Sequence, residues 1–128
     1  MLAGATPVLV HNCTVRNDIL GETRATAESN VDIVPHKRKS SLVSEHTITM
    51  EDTMATGSEF LGEGMRDVAK GRGIFRSADN RLGFRIDPDS LAGGHWPDVP
   101  HVHFEIFDEA GKPLTNNHAP LRGRDDRG

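Results

Sequence analysis

The second half of the chain contains two segments in which hydrophobic and polar residues alternate strictly. Residues 81–87 and residues 101–107 both follow this pattern. Their apolar positions are Leu82, Phe84, Ile86, Val102, Phe104 and Ile106. A period of two is typical of β-strands that bury one face. We therefore predict two strands that share one hydrophobic face.

A helix is predicted over residues 49–61, ahead of these strands. Thr49 can cap the helix, because Asp52 follows three residues later. Met50, Met54 and Leu61 fall on one helical face and are expected to contribute to the core. Gly62 and Gly64 follow directly and are suited to ending the helix.

Three further segments complete the predicted domain. A short helical turn is expected at residues 65–69, a strand at residues 73–77 and a final strand at residues 112–117. Residues 88–100 are rich in glycine and proline and are predicted as a loop. The expected fold class is α+β, in which a helical segment packs on a small antiparallel meander.

The first 48 residues carry weaker signals. Val8, Leu9 and Val10 form a short run that favours a strand, and residues 14–48 lack a sustained period. We interpret residues 13–48 as a linker or loosely ordered arm, residues 49–121 as the compact domain and residues 122–128 as a flexible tail.

Composition narrows the class of protein. The chain has 128 residues with 35% hydrophobic and 27% charged residues, which suits one compact domain with a tail. The single cysteine excludes an internal disulfide framework, and no apolar run is long enough to span a membrane. The net charge is −4, so any site for an anion must be local.

The polar positions of the two alternating strands are the candidate chemistry. If the apolar positions share a core face, the polar positions meet on the opposite face, turned outward to a shallow groove. These positions are Arg81, Arg85 and Asp87 on one strand and His101, His103 and Glu105 on the other. A solvated face with surface ion pairs is the competing interpretation.

The residue types on this face are those that RNA cleavage without a metal ion requires. Two imidazoles can share the roles of acid and base, and an arginine can stabilise the charge on the phosphate. The candidate catalytic residues are His101, His103, Glu105, Arg85 and His118. The candidate substrate-binding residues are Arg81, Arg76, Lys70, Arg72 and His95. No cofactor is expected for this mechanism.

A metal site is the second interpretation of the same histidines. His101, His103 and Glu105 span about 13 Å along one strand, which is too long for one small ion. The histidine pair could bind an ion only with a third ligand, such as His118 or His95.

The tripeptide His11-Asn12-Cys13 is the most specific local motif. An asparagine side chain can attack its own carbonyl and break the chain, a neighbouring histidine can assist, and a following cysteine can act as nucleophile in an acyl shift. With the preceding residues 6–10, the segment resembles the end of Hedgehog/intein-type autoprocessing domains. The resemblance implies that residues 1–12 are the remnant of such a domain, which stands before the toxin in bacterial polymorphic toxins.

Residues 58–118 resemble a C-terminal toxin module of those proteins. The similar stretches are 60–64, 73–79, 84–87, the glycine loop with His95, 100–105 and 116–118. The resemblance implies a nuclease, most often an endoribonuclease, that is secreted within a larger protein and acts in the cytoplasm of a target cell. It also implies an RNA substrate, a cognate immunity protein and a module that is monomeric alone. A metal-dependent nuclease or hydrolase and a non-enzymatic protein-interaction module are the alternatives.

Overall fold

The computed structural model describes residues 6–31, 40–92 and 99–122. A long helix α1 begins the chain, a second helix α2 precedes most of the strands, and a short helix α3 interrupts them. In chain order the elements are α1 (Thr6–Asn30), β1 (Ser41–Val43), β2 (Ile48–Thr49), α2 (Met50–Leu61), β3 (Arg66–Asp67), β4 (Ile74–Arg76), β5 (Leu82–Arg85), α3 (Pro88–Ala92), β6 (His101–Phe107) and β7 (Pro113–Arg122).

The strands form a mixed sheet around an antiparallel meander. Strands β3 to β7 pair in sequence order and are all antiparallel. Strands β1 and β2 both pair with β7 in the parallel direction. The α+β class is thus confirmed, and the parallel edge strands are an addition that the alternation pattern did not predict.

The hydrophobic core lies between one face of this sheet and the two longer helices. Phe84 lies opposite Phe104 in the register of β5 and β6, and their ring centroids are 5.3 Å apart. Phe60 of α2 packs edge-on against Phe104 at 5.7 Å. Ile19 and Leu20 bring α1 into the same cluster. The predicted common hydrophobic face of the two alternating strands is therefore confirmed.

Helix α2 begins and ends as predicted, but its buried face differs. The Thr49 side chain accepts a hydrogen bond from the backbone N–H of Asp52, and the N–H of Gly62 closes the last turn. Met50 and Met54 are 49% and 42% exposed, so their assignment to the core was wrong. The helix buries Phe60 and the predicted Leu61 together with three small residues, and a Cβ on Gly57 would lie 2.5 Å from the Phe84 ring. Close approach of the helix to the sheet explains why small residues face inward.

The first 48 residues contain the largest departures from expectation. The strand predicted at residues 8–10 is wrong, because α1 runs through these residues. The linker predicted over residues 13–48 contains the rest of that helix and two strands. Within residues 16–30 of α1, where burial is described, the buried positions do follow a helical period: they are Ile19, Leu20, Thr23, Ala27 and Asn30. Since two of these five are polar, the apolar periodicity was too weak to predict the helix.

Hydrogen bonds fix this polar part of α1 to β7. The Asn30 side chain donates to the carbonyl of Leu114 at 2.8 Å, and Thr115 Oγ1 donates to the carbonyl of Thr23 at 3.1 Å. Asn117 Nδ2 donates to Thr23 Oγ1 at 3.1 Å. These bonds satisfy groups that would otherwise be buried without partners.

Four smaller expectations also need correction. The turn predicted at residues 65–69 contains strand β3 instead of helix, and β7 extends five residues beyond the predicted end at residue 117. The predicted loop at residues 88–100 opens with helix α3. Residues 123–128 of the predicted tail lie outside the described residues, and Arg122 belongs to β7. Among the described helices, none combines the length and apolar character needed to cross a membrane.

Candidate functional site

The register of three neighbouring strands assembles polar side chains on the sheet face opposite the core. Arg85 lies opposite His103, and His103 lies opposite His118 on its other side. Glu105 lies opposite Gly83 and Asn116. Side chains that are directly opposite share a face, so β5, β6 and β7 each contribute to one site.

Three histidines form the centre of this site. The ring centroids of His103 and His118 are 4.4 Å apart, those of His101 and His103 are 4.8 Å apart, and those of His101 and His118 are 5.2 Å apart. One ring nitrogen from each residue lies within 4.8 Å of the others. We call these three residues the histidine cluster. Among the described residues it is the one group of side chains that meets the requirements for holding a metal ion.

Each histidine of the cluster contacts an oxygen through Nδ1. His101 Nδ1 lies 2.6 Å from the carbonyl oxygen of Val99, and His118 Nδ1 lies 2.9 Å from that of Leu42. A carbonyl oxygen can only accept, so both Nδ1 atoms must carry the proton. His103 Nδ1 lies 2.9 Å from Asn116 Oδ1, an amide oxygen that also accepts. In the neutral form of each ring, the lone pair therefore lies on Nε2.

Arg85 lies beside the histidine cluster and faces Glu105. Its Nη2 is 3.4 Å from Nδ1 and 3.3 Å from Nε2 of His103. Its Nε is 3.7 Å from a carboxylate oxygen of Glu105. Since His103 Nδ1 donates to Asn116, Nε2 is the ring nitrogen that can accept a hydrogen bond from the guanidinium.

Arg76 approaches Glu105 from the other side. Arg76 lies opposite Gly83, and Gly83 lies opposite Glu105, so the glycine separates the two charged residues on the same face. A Cβ at position 83 would lie 2.9 Å from Glu105 Oε1 and 3.4 Å from Arg76 Nε. The Arg76 guanidinium stacks on the Phe107 ring at 4.0 Å. The absent side chain at position 83 therefore leaves room for the carboxylate between two arginines.

The two arginines both carry an unused donor. Among the described residues, the Nε atoms of Arg76 and Arg85 are buried and have no hydrogen-bond acceptor within reach. A buried polar atom without a partner is costly, so such atoms in a native fold call for an explanation. Two such N–H groups on either side of a carboxylate are suited to holding an anionic ligand.

Burial changes the pKa of two groups in the site, His103 and Glu105. Desolvation lowers the pKa of His103 to about 3; the hydrogen bond that His103 donates to Asn116 opposes this effect, and the positive charge of Arg85 adds to it. Desolvation raises the pKa of Glu105, although the charges of Arg85 and Arg76 oppose the change. His103 is therefore neutral at pH 7 and is unsuited to the role of a general acid.

The accessibility of the site differs from the sequence-based expectation. His101, His103 and His118 are 0%, 1% and 4% exposed, so the shallow groove with outward-facing imidazoles was wrong. Proximity was predicted correctly, since Arg85, His103, Glu105 and His118 do meet. The Arg85 side chain is 30% exposed and is the part of the site that solvent reaches most easily.

The remaining substrate-binding candidates lie elsewhere, except for Arg76. Arg81 Nε donates to the carbonyl oxygen of Phe107 at 2.7 Å, at the opposite end of the β5–β6 pair from His101. Lys70 and Arg72 are exposed in the turn between β3 and β4. Arg76 and Arg81 line a cleft of about 510 Å³ with Asp79 and Asp108, and none of the histidine cluster lines it.

Two groups of predicted site residues have no described side chains. His95 lies outside the described residues. His11, Asn12 and Cys13 lie within α1, which replaces the strand ending that the junction motif was expected to form. Their proposed role in autoprocessing stays a prediction.

Asn116 belongs to the site but was not among the candidates named from the sequence. It lies two residues before His118 on β7, so it shares a face with that histidine, and its amide oxygen orients His103. Alternation along the final strand was the signal that could have identified it. The carbonyl groups of Val99 and Leu42 carried no such signal, because any residue type supplies a carbonyl.

No family model, curated protein or solved structure matches this chain. The chemistry of the site must therefore be inferred from the geometry of the described residues.

Proposed function

We propose that this chain is the toxin module of a bacterial polymorphic toxin and that it is an endoribonuclease. The observation that carries the proposal is the pair of buried arginine Nε–H groups, on Arg76 and Arg85, that flank Glu105 without acceptors of their own. Guanidinium groups with free N–H donors match the oxygens of a phosphodiester. The histidine cluster next to Arg85 adds groups that can move protons.

The net charge of the chain implies that RNA would be bound through a few local contacts. With a formal charge of −4, the protein as a whole does not attract a polyanion. Affinity for RNA must then come from a few close contacts, of which Arg85 is the most accessible at 30% exposure. Lys70 and Arg72, which are exposed in the β3–β4 turn, extend the positive charge along the chain of a bound RNA.

The proposed reaction uses the 2′-hydroxyl of RNA as nucleophile. Glu105, whose pKa is raised by burial, takes the proton of that hydroxyl and is a stronger base than an ordinary carboxylate. A bond forms between O2′ and phosphorus while the bond from phosphorus to O5′ breaks. Arg85 and Arg76 balance the charge of the crowded intermediate. Glu105 then returns this proton to the departing 5′-oxygen, which leaves a 2′,3′-cyclic phosphate and a 5′-hydroxyl.

Secretion, delivery and inhibition follow from the same proposal. A toxin of this kind is secreted within a larger protein and acts in the cytoplasm of the target cell as a monomer. The producing cell then needs a cognate immunity protein. We expect that protein to place acidic side chains over Arg85, because electrostatic complementarity favours fast and specific association.

The test is tightly controlled expression of the full chain in bacteria, followed by electrophoresis of total RNA and identification of the new ends. We expect growth arrest, RNA fragments and 2′,3′-cyclic phosphate ends for the wild type, and intact RNA for Glu105→Gln. Arg24→Ala is the matched control, because Arg24 is exposed on α1 and that helix packs on the other face of the sheet. Growth arrest with unaltered RNA would overturn the ribonuclease assignment.

A further inference from the structure

We propose that His101, His103 and His118 bind one divalent metal ion, for which zinc is the best match. The inference goes beyond the proposed function, because metal binding can be measured without RNA. Among the described residues the three imidazoles are the one cluster that brings three potential ligand atoms within 4.8 Å of one another. Three histidines with a fourth position left open are the ligand set of catalytic zinc sites such as that of carbonic anhydrase.

The spacing of the rings is that of a metal site. Zinc binds imidazole nitrogen at about 2.0–2.1 Å, so ligand nitrogens in a tetrahedral site lie about 3.4 Å apart and their ring centroids about 5 Å apart. The three centroid distances here are 4.4, 4.8 and 5.2 Å. Small rotations of the rings, without movement of the strands, would bring the nitrogens into range.

The outer contacts of the rings support the same conclusion. Histidines that bind metals almost always donate their other N–H group to a carbonyl or carboxylate, which fixes the tautomer and the ring orientation. Each ring of the histidine cluster does this through Nδ1, toward Val99, Asn116 and Leu42 respectively. Three acceptors on three different parts of the chain thus hold the Nδ1 atoms, so Nε2 is the atom of each ring that would bind the ion, in place of the Arg85 contact at His103.

Three alternating residues of a single strand are too far apart to bind one small ion, and the pairing of two strands removes this obstacle. His101 and His103 project from the same face of β6, and the third ligand comes from the neighbouring strand, where His118 lies opposite His103. Glu105 lies one step further along β6, opposite Gly83 and away from His101. The ligands are therefore the histidines, and the carboxylate stays with the arginines.

An ion at this position would serve the proposed reaction, and this one step rests on the proposed function. A water molecule bound to zinc is far more acidic than bulk water. Such a water would supply the proton that the departing 5′-oxygen requires, and the proton that Glu105 takes from the 2′-hydroxyl would replace it.

The test is metal titration of the full chain after removal of bound metals. Binding of Zn²⁺ is followed by calorimetry and by elemental analysis, and binding of Co²⁺ by its visible absorption, which reports nitrogen ligands and four-coordinate geometry. We expect one ion per chain for the wild type. His101→Ala, His103→Ala and His118→Ala should each abolish that stoichiometric binding. His46→Ala is the control, since His46 is a partly exposed histidine that contacts Asp18 and Glu22 outside the cluster.

Asn116→Ala keeps the proposal testable if the histidine variants do not fold. This variant retains all three ligands and removes the acceptor of His103, so its affinity for Zn²⁺ should fall by about 10–100-fold. Absence of stoichiometric binding by the wild type, or binding that His46→Ala removes and the cluster variants do not, would refute the metal site. RNA cleavage by a protein that binds no metal would leave the proposed function standing, and metal binding without RNA cleavage would refute only that function.

Discussion

His103 and His118 lie directly opposite each other on neighbouring antiparallel strands, with ring centroids 4.4 Å apart. Neither strand alone carries the site, because β6 contributes two histidines and β7 contributes the third. The pairing also places Arg85 on the far side of His103, so one register determines both the histidine cluster and its neighbouring cation. A shift of β6 by one residue would turn these histidines toward the hydrophobic core.

Replacement of Arg85 tests the anion site directly. Arg85→Ala should lower the kcat for RNA cleavage by about 10²–10³-fold, the usual cost of losing one preorganised donor to the transition state. Arg85→Lys should recover little of this loss, since an ammonium group lacks the planar pair of donors. Single-turnover cleavage of a short RNA by purified variants provides the measurement. A full recovery with lysine would show that only positive charge matters there.

Metal removal tests whether the two proposals act together. If the ion participates in the reaction, a chelator should abolish RNA cleavage and one equivalent of Zn²⁺ should restore it. Saturation with Zn²⁺ should also raise the free energy of unfolding, by about 2.7 kcal/mol at a hundredfold excess over Kd. Cleavage that is unchanged in the chelated protein would assign the proton transfers to the side chains alone.

Acid titration tests the turn between β4 and β5. Asp79 accepts hydrogen bonds from Ser77 Oγ at 2.6 Å and from the backbone N–H of Arg81 at 3.0 Å. These bonds lower the pKa of Asp79 below 3.8, with the Ser77 bond as the larger cause. The folded state therefore favours the carboxylate, and this contribution to stability exists above pH 3.8 and is lost as the pH falls through the folded-state pKa.

The expected result is a pH-dependent difference between variant and wild type. Asp79→Asn should be less stable than the wild type at pH 7 in urea denaturation, and the difference should shrink as the pH falls below 3.8. Glu28→Gln serves as the control, because it removes an exposed carboxylate from α1. A difference that stays constant over the whole range would mean that the ionised carboxylate of Asp79 does not stabilise the turn.

The sequence predicted the elements that rest on strong periodicity. The alternation at Phe84 and at Phe104 identified two paired strands and their common core face, and Thr49 identified the start of α2. That same alternation predicted that Arg85, His103 and Glu105 lie on one face of the sheet. The burial of the histidines was not predictable from the sequence. A period of two is found on buried and on exposed strand faces alike, and exposure depends on which other residues cover the face.

Helix α1 was missed for a different physical reason. Its inner face buries Thr23 and Asn30 beside Ile19, and polar residues on a buried face remove the hydrophobic period by which a helix is identified. The partners that make this burial tolerable lie some 84 to 94 residues further along the chain. Contacts of that range cannot be read from local sequence.

Replacement of Ile19 tests whether α1 is part of the folded domain. The Ile19 side chain is 0% exposed and belongs to the same core cluster as Phe104. Ile19→Ala should therefore cost about 2–5 kcal/mol in the free energy of unfolding. Arg24→Ala, an exposed substitution on the same helix, should change it by less than about 0.5 kcal/mol. Urea denaturation of both variants, followed by circular dichroism, makes the comparison. If the first 48 residues were instead a loosely ordered arm, the two substitutions would have equally small effects.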